Sequence, residues 1–419
     1  MFGKRKTSLE RSRSLTDMAW KRFRTNKLSM IGLAVIAVAV FIFIAGYLIT
    51  PDSTPDANDI KPELQIKPPG FSVRMLKVKK NEEPHESNWF YKMLFGQQSD
   101  FTYVTLFDYT FSGNDIVVEE YTGNEPNRGT KMRFNVADVI YDINYNMPVK
   151  NDERNGTVEF YQYSTGKKMK LQVKDLQTDV EKNCIVTKKF LIGTDRQGRD
   201  MLSRMLIGTR ISLSVGAIAV LISLVIGILL GAISGYFRGW IDDAIMWLIN
   251  VVWSIPTLLL VIAITLVLGK GFWQVFVAVG LTMWVEVARM VRGQVLGLRE
   301  MEFIEAGRAL GYKNRRIIVN HVLPNIMGPV IVIAASNFAS AILTEAGLSF
   351  LGIGAQPPTA SWGKMINDHR AFIFTPDAFY LAFIPGIAIM VLVLAFMLVG
   401  NGLRDALDSK ADNSHIMGN

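Results

Sequence analysis

Six long apolar runs constrain this chain more than any other feature. About 20 consecutive apolar residues cross a bilayer as a helix. Leu28–Thr50, Ile211–Phe237, Ala244–Gly269 and Ala378–Leu403 reach that length without a charge. Gly271–Val291 reaches it with only Glu286 and Arg289 near its end, and Pro329–Leu351 with only Glu345. Backbone amides in lipid must bond within their own segment, so the runs predict helices. The expected fold class is an all-α polytopic membrane protein, with six transmembrane helices and an inserted extracytoplasmic β-rich domain.

Basic residues orient the spans. The first 28 residues carry nine Lys and Arg. The positive-inside rule places this tail in the cytoplasm, and six spans return the C-terminus there. The segment between spans four and five then also falls inside, and it holds Arg292, Arg299, Arg308, Lys313, Arg315 and Arg316. The short turn between spans three and four holds only Lys270. The net charge of +8 is thus mostly a matter of topology, and no nucleic-acid partner is needed. The first span lacks a small-x-small cleavage site and reads as a retained anchor, not a signal peptide.

The expected organisation is a basic cytoplasmic tail (1–28), a first transmembrane helix (29–50), an extracytoplasmic segment (51–190), a core with five more spans (191–407) and a cytoplasmic tail (408–419). Residues 51–98 are rich in Pro, Lys and Glu and read as an extended connector. From about 99 the texture turns β-rich. "TVEFYQY" and "KMKLQVK", joined by "STGK", predict a hairpin, with Met169, Leu171 and Val173 on one face. "DIVVEEY" and "RFNVADVIYDI" read as further strands. This part is either an ordered spacer or a docking element for an outer partner. The single cysteine, Cys184, excludes an intramolecular disulfide. His85, His321, His369 and His415 are scattered, and their spacing suggests no metal cluster and no catalytic pairing.

Within the spans, Ala219, Ser223, Gly227, Gly231 and Gly235 stand four apart, a ladder that lets helix backbones approach closely. Pro256 should kink the third span. Asn337, Ser340, Thr344 and Glu345 form a polar stripe at helical spacing in the fifth. Polar groups at that depth usually face a bundle interior or a watery path. The stripe is therefore a candidate translocation face, or else an interhelical hydrogen-bonding face.

Residues 300–325 interrupt the apolar pattern. Phe303, Ala306 and Leu310 fall on one helical face, Gly311 breaks it, and Ile317, Ile318, His321 and Val322 form the next face. Pro324 should close this second short helix. The physical reading is a docking element or an interfacial amphipathic helix.

The stretch resembles the cytoplasmic "EAA" loop of ABC importer permeases at Glu305, Ala306, Gly307, Gly311, Leu323 and Pro324, and the resemblance implies that these and Arg308 belong to an ATPase-coupling loop. Gly307 stands where the pattern has Ala, and His321 where Ile is common. "GTDRQGRDMLSRMLIGTRISLSVG", "EAGLSFLGIGAQPPTASWGKMI" and "GNGLRDALDSK" are similar to stretches of the dipeptide, oligopeptide and nickel branch. The resemblance covers roughly 190–410 and the first span.

It implies a bacterial inner-membrane permease subunit with both termini cytoplasmic, forming half of a translocation path. The implied partners are a second homologous permease, two cytoplasmic ATPase subunits docked on the loop, an extracytoplasmic binding protein and the bilayer. It implies no enzyme activity and no cofactor in this chain, with ATP hydrolysed by the partner subunits. No "GxxxxGK[ST]" phosphate loop occurs, in keeping with this. Peptide is the expected substrate, with nickel or another small solute as the alternative. An ion-gradient transporter would call for more intramembrane acids and an internal repeat. A membrane-anchored receptor would call for a longer cytoplasmic part than the residues after 404.

Overall fold

The computed structural model describes residues 15–83, 87–123, 125–126, 128–152, 155–269 and 271–407. Residues 4–13, His85, Lys270, His415 and the tail 408–419 lie outside these. In chain order come α1 (Leu15–Thr25), α2 (Lys27–Ile49), β1 (Phe71–Lys79), α3 (Trp89–Phe95), β2 (Phe101–Ser112), β3 (Asp115–Glu120), β4 (Lys131–Asn135) and α4 (Val136–Ile140). Then follow β5 (Lys150–Asp152), β6 (Thr157–Tyr161), β7 (Lys168–Gln172), α5 (Val173–Asp179) and β8 (Ile185–Phe190). The remainder is helical: α6 (Met201–Phe237), α7 (Gly239–Trp253), α8 (Thr257–Leu268), α9 (Phe272–Arg299), α10 (Glu302–Ala309), α11 (Asn314–Ile317), α12 (Leu323–Phe350), α13 (Trp362–His369) and α14 (Tyr380–Leu407). The chain divides into two compact units. One comprises the described residues up to Phe43, Thr209–Asn367 and those from Phe383. The other comprises Ile44–Gly208 and Asp368–Ala382.

Five helical runs among the described residues are long and apolar enough to cross a membrane: Lys27–Ile49, Met201–Phe237, Trp273–Arg299, Asn314–Phe350 and Tyr380–Leu407. The expected third span bends at Pro256 as predicted, but sharply enough to break it. It is two helices of 15 and 12 residues, α7 and α8, bent by 91°. Pro256 lacks an N–H, its ring bars a helical carbonyl four residues back, and Ile255 before it is steered away from helix. At 1.5 Å per residue the halves are about 22 and 18 Å long, and neither alone matches a hydrocarbon core of about 30 Å.

The small-residue ladder packs α6 on α9. A Cβ built on Gly227 would lie 2.5 Å from Val287 Cβ, and one on Gly231 2.4 Å from the Ala288 carbonyl oxygen. Asp242 ties three helices together. It receives Arg292 Nε at 2.6 Å and the second guanidinium nitrogen at 2.7 Å, and the Ser234 hydroxyl donates to it as well. Arg292 thus lies within α9 rather than in the loop after it, facing Asp242 of α7.

In the second unit a five-stranded antiparallel sheet has the order β4-β3-β2-β1-β8, and a three-stranded sheet the order β5-β6-β7. The expected hairpin is β6–β7, with Val158 opposite Leu171 and Phe160 opposite Met169. Leu76, Leu106, Ile116, Val118, Val158 and Phe160 share one core with Cys184. Burial pushes the Cys184 thiol pKa up. The "extended connector" instead holds β1, which pairs with both β2 and β8. "RFNVADVIYDI" is a strand only to Asn135, whose side chain accepts from Ala137 N at 3.0 Å and caps α4. The "GTDRQGRD" stretch forms a buried turn. Asp195 receives Arg199 Nε at 2.7 Å and the backbone amides of Gln197 and Arg199 at 2.8 and 2.9 Å. Asp200 then caps α6 by accepting from Ser203 N at 3.0 Å.

Candidate coupling segment and membrane cavity

The segment after α9 folds as the sequence predicts at its start. α10 spans Glu302–Ala309, and Gly311 follows with φ +77°, a left-handed conformation that suits glycine. An added Cβ there would meet nothing within 4 Å, so the demand on Gly311 is conformational and not steric. At Gly307 a Cβ would sit 3.5 Å from the Tyr312 ring and 4.0 Å from Ile317, an ordinary contact. The departure from Ala at this position therefore relieves no clash.

The far end differs from expectation. Pro324 does not close a short helix. It lies in the first turn of α12, and the helical run continues from Asn314 to Phe350. A π-helical turn, Ile318–Val322, precedes it. The wider turn lets the chain pass Pro324, which has no N–H to offer the α-helical ladder. Leu323 is half-buried and Pro324 exposed.

Burial sorts the segment into two faces. Ile304, Ile317 and Val322 lie in one apolar cluster with Ala232 and Tyr236 of α6 and Val287, Val291 and Val295 of α9. Gly307 is buried on that same side. Phe303 is 46% exposed and Leu310 72% exposed. Glu305, Ala306, Arg308, Arg315 and Arg316 are exposed as well. The face read from the sequence as apolar, with Phe303, Ala306 and Leu310, is thus the uncovered one. Ile304, outside that apolar set, is the residue that faces the helices. Tyr236 donates from its hydroxyl to Asn314 Oδ1 at 3.0 Å, and the Arg308 guanidinium lies 5.3 Å from its ring centre. One aromatic residue at the end of α6 thereby touches both halves of the segment.

The polar stripe of α12 separates into two environments. Ser340 and Thr344 line a cavity of about 230 Å³ with Thr282 and Glu286 of α9, Trp253 of α7 and Thr257 of α8. The Thr344 hydroxyl donates to the Ser340 carbonyl at 2.8 Å. Arg289 stacks over the Trp253 ring at 3.6 Å. Glu345 points elsewhere and is buried. It accepts from the hydroxyls of Ser349 at 2.6 Å and Ser361 at 2.8 Å. Ser349 in turn accepts from Ala355 N at 3.1 Å, so Glu345 fastens the segment after α12 back onto its end. Asn337 is buried too, and among the described residues its amide nitrogen has no hydrogen-bond partner. Glu286, a lone acid near the end of its apolar run, is the cavity residue the stripe did not include.

Residues 227–413 match the family described as binding-protein-dependent transport system inner membrane component. Residues 14–69 match the N-terminal TM domain of oligopeptide transport permease C. The dipeptide transport system permease protein DppC of Alkalihalophilus pseudofirmus is 45% identical over 218 residues, which is 52% of this chain and 71% of that one. The oligopeptide transport system permease protein OppC of Bacillus subtilis is 40% identical over 225 residues, 54% of this chain and 73% of that one. The glutathione transport system permease protein GsiD of Pectobacterium atrosepticum is 42% identical over 220 residues, 52% and 72% respectively. A solved inward-facing structure of the MetNI methionine ABC transporter aligns with 50% of this chain and 98% of that one, at 18% identity and a TM-score of 0.42.

The chain belongs to the binding-protein-dependent transport system inner membrane component family. It is a multi-pass membrane permease subunit of an ABC importer and not an enzyme. Importers of this family combine permease, ATPase and substrate-binding components.

Proposed function

We propose that this chain forms half of the translocation path of a peptide importer and takes ATPase motion through residues 302–324. The carrying observation is the two-faced segment. Ile304, Ile317 and Val322 are packed into α6 and α9, while Phe303 and Leu310 lie uncovered beside Arg308. A force on the outer face reaches two spans through side chains in direct contact. The relatives named for dipeptide, oligopeptide and glutathione transport support peptide as the substrate class. The complex has a second homologous permease, two ATPase subunits and an outer binding protein, and this chain holds no cofactor. The double variant Phe303→Ser, Leu310→Ser keeps normal membrane levels and loses most ATPase co-purification. Full co-purification with unchanged peptide uptake would sink the coupling reading.

The bent pair α7–α8 counts as one span in this reading, which gives six. Both termini and residues 292–325 face the cytoplasm of a bacterial inner membrane, and 51–190 lie outside. Buried Cys184 is a poor reporter of side. A cysteine placed at exposed Lys170, in a Cys184→Ala chain, reacts with an impermeant maleimide in intact spheroplasts. Reaction only after lysis reverses the orientation. The path runs past Ser340, Thr344 and Glu286, with Asn337 and Glu345 as its structural support. Ser340→Trp narrows the cavity and lowers uptake while ATPase association stays at the parent level. Uptake at the parent level removes the cavity from the path.

A further inference from the structure

The helix α3, Trp89–Phe95, breaks the pattern of the unit that carries it. Trp89, Phe90, Tyr91 and Phe95 are 56–60% exposed and Leu94 38%, and only Met93 is buried. At 100° per residue, Phe90, Leu94, Tyr91 and Phe95 form one continuous arc of about 140°. The Tyr91 and Phe95 rings meet along it, tilted 40° to each other with centres 5.0 Å apart. Lys92 is the one charged residue among the seven. Contiguous apolar surface of this kind marks a contact with membrane or partner.

The residues after α3 show which. Gly96 seats against the end of α2: a Cβ there would lie 2.8 Å from the Ser53 carbonyl oxygen and 2.9 Å from the Tyr47 ring. Gln97 N donates to the Ser53 carbonyl at 2.9 Å. The Tyr47 hydroxyl accepts from Asp56 N at 3.2 Å. α2 has 23 residues and spans roughly 34 Å, enough for a hydrocarbon core of about 30 Å. Tyr47 stands two residues before its end, the level at which Tyr and Trp gather at the edge of a bilayer. α3 is therefore fastened to a fixed depth, and its side chains are the kinds that depth favours.

We infer that α3 lies in the interfacial layer of the bilayer beside the end of the first span. Phe90, Leu94 and Phe95 rest among the upper acyl carbons. The Trp89 indole N–H, the Tyr91 hydroxyl and the Lys92 ammonium reach headgroups and water, as amphipathic tips do. The β-rich unit is then held to the membrane at two places, the end of α2 and α3. Its orientation over the lipid is limited accordingly.

The test uses the full chain with its partner subunits in lipid nanodiscs, in a Cys184→Ala background. Spin labels at Phe90→Cys, Leu94→Cys and Phe95→Cys are compared with one at Lys170→Cys on β7. The expected result is a reversal. Oxygen outcompetes a water-soluble nickel chelate as relaxant at the three α3 positions, and the chelate dominates at position 170. In unlabelled protein, headgroup-proximal brominated lipid quenches the fluorescence component that Trp89→Phe removes. Chelate dominance at all three α3 positions would place the helix in water. Exclusion of both relaxants would place it under protein. Either result, or the absence of Trp89 quenching, overturns the inference.

Discussion

In the membrane unit Leu221, Val225 and Leu229 are largely exposed, while Ser212, Ser223, Ser234, Asn337 and Glu345 are buried. In the β-rich unit Leu76, Ile116, Val118 and Phe160 are buried, and Lys168 and Lys170 are exposed. One rule yields both patterns because the solvents differ. Lipid tails are as apolar as leucine, so a leucine gains little by turning inward in the bilayer. Close backbone approach and internal polar pairs must hold those helices together, as at Gly231 and at Asp242–Arg292. In the β-rich unit, removal of apolar area from water does that work.

The largest expected effect tests this contrast directly. Phe160 is fully buried in the core of the β-rich unit. Phe160→Ala should destabilise that unit by about 3–5 kcal/mol, through lost transfer energy and a cavity. Leu221 is a large residue of α6 with most of its surface uncovered. Leu221→Ala should change stability by less than about 0.5 kcal/mol, since it removes few protein contacts. Thermal melts of the purified full chain in nanodiscs, followed by near-ultraviolet dichroism, compare the two. Equal losses would mean that the two units are held by the same kind of packing.

A smaller effect sharpens the membrane side. Gly231→Leu places atoms where the Ala288 carbonyl already stands 2.4 Å from the Cβ position. Overpacking of this kind typically costs about 1–3 kcal/mol. Gly347, in α12, has nothing within 4 Å of its Cβ position. Gly347→Leu should leave the melting temperature of the isolated chain at the parent value, and Gly231→Leu should lower it. The opposite order would remove the α6–α9 approach from the account of stability.

The contrast also explains what could be read from the sequence. Spans were legible because uncharged runs of 20 residues have few other uses. The bend at Pro256 was legible as a position and not as an angle, since one missing hydrogen bond allows a kink or a break. β1 was hidden because Val73, Met75, Leu76 and Val78 bury both of its faces, which removes the alternation that marks a strand. The segment 300–325 was legible as a motif and as a candidate docking face, but the residue that anchors it inward was not. Helical spacing grouped Phe303, Ala306 and Leu310, and only packing reveals that Ile304 turns toward α9. The polar stripe failed as a single surface for a related reason. Its arc is wide enough for Ser340 and Thr344 to meet a cavity while Glu345 meets Ser361.

The smallest expected effect sets two carboxylates against each other. Glu345, in the membrane unit, is buried among hydroxyls. Glu159, on the solvent side of the β6–β7 hairpin, lies 2.9 Å from Lys168 Nζ and 3.0 Å from Lys170 Nζ. It stands directly opposite Lys170 in the register. Hydrogen bonds first from Lys168 and then from Lys170 hold its carboxyl pKa down to about 2. A folded pKa below the unfolded one means that the stabilisation is present above the unfolded value, near 4.3. It is lost as pH falls from there through about 2. The pair faces solvent, so salt screens it and its contribution is small. Glu159→Gln should lower the melting temperature slightly at pH 7, and the gap from the parent should narrow below about pH 4. Molar salt should close most of the gap at pH 7. A gap that stays constant with both pH and salt would show that packing of the side chain, and not its charge, joins these two strands.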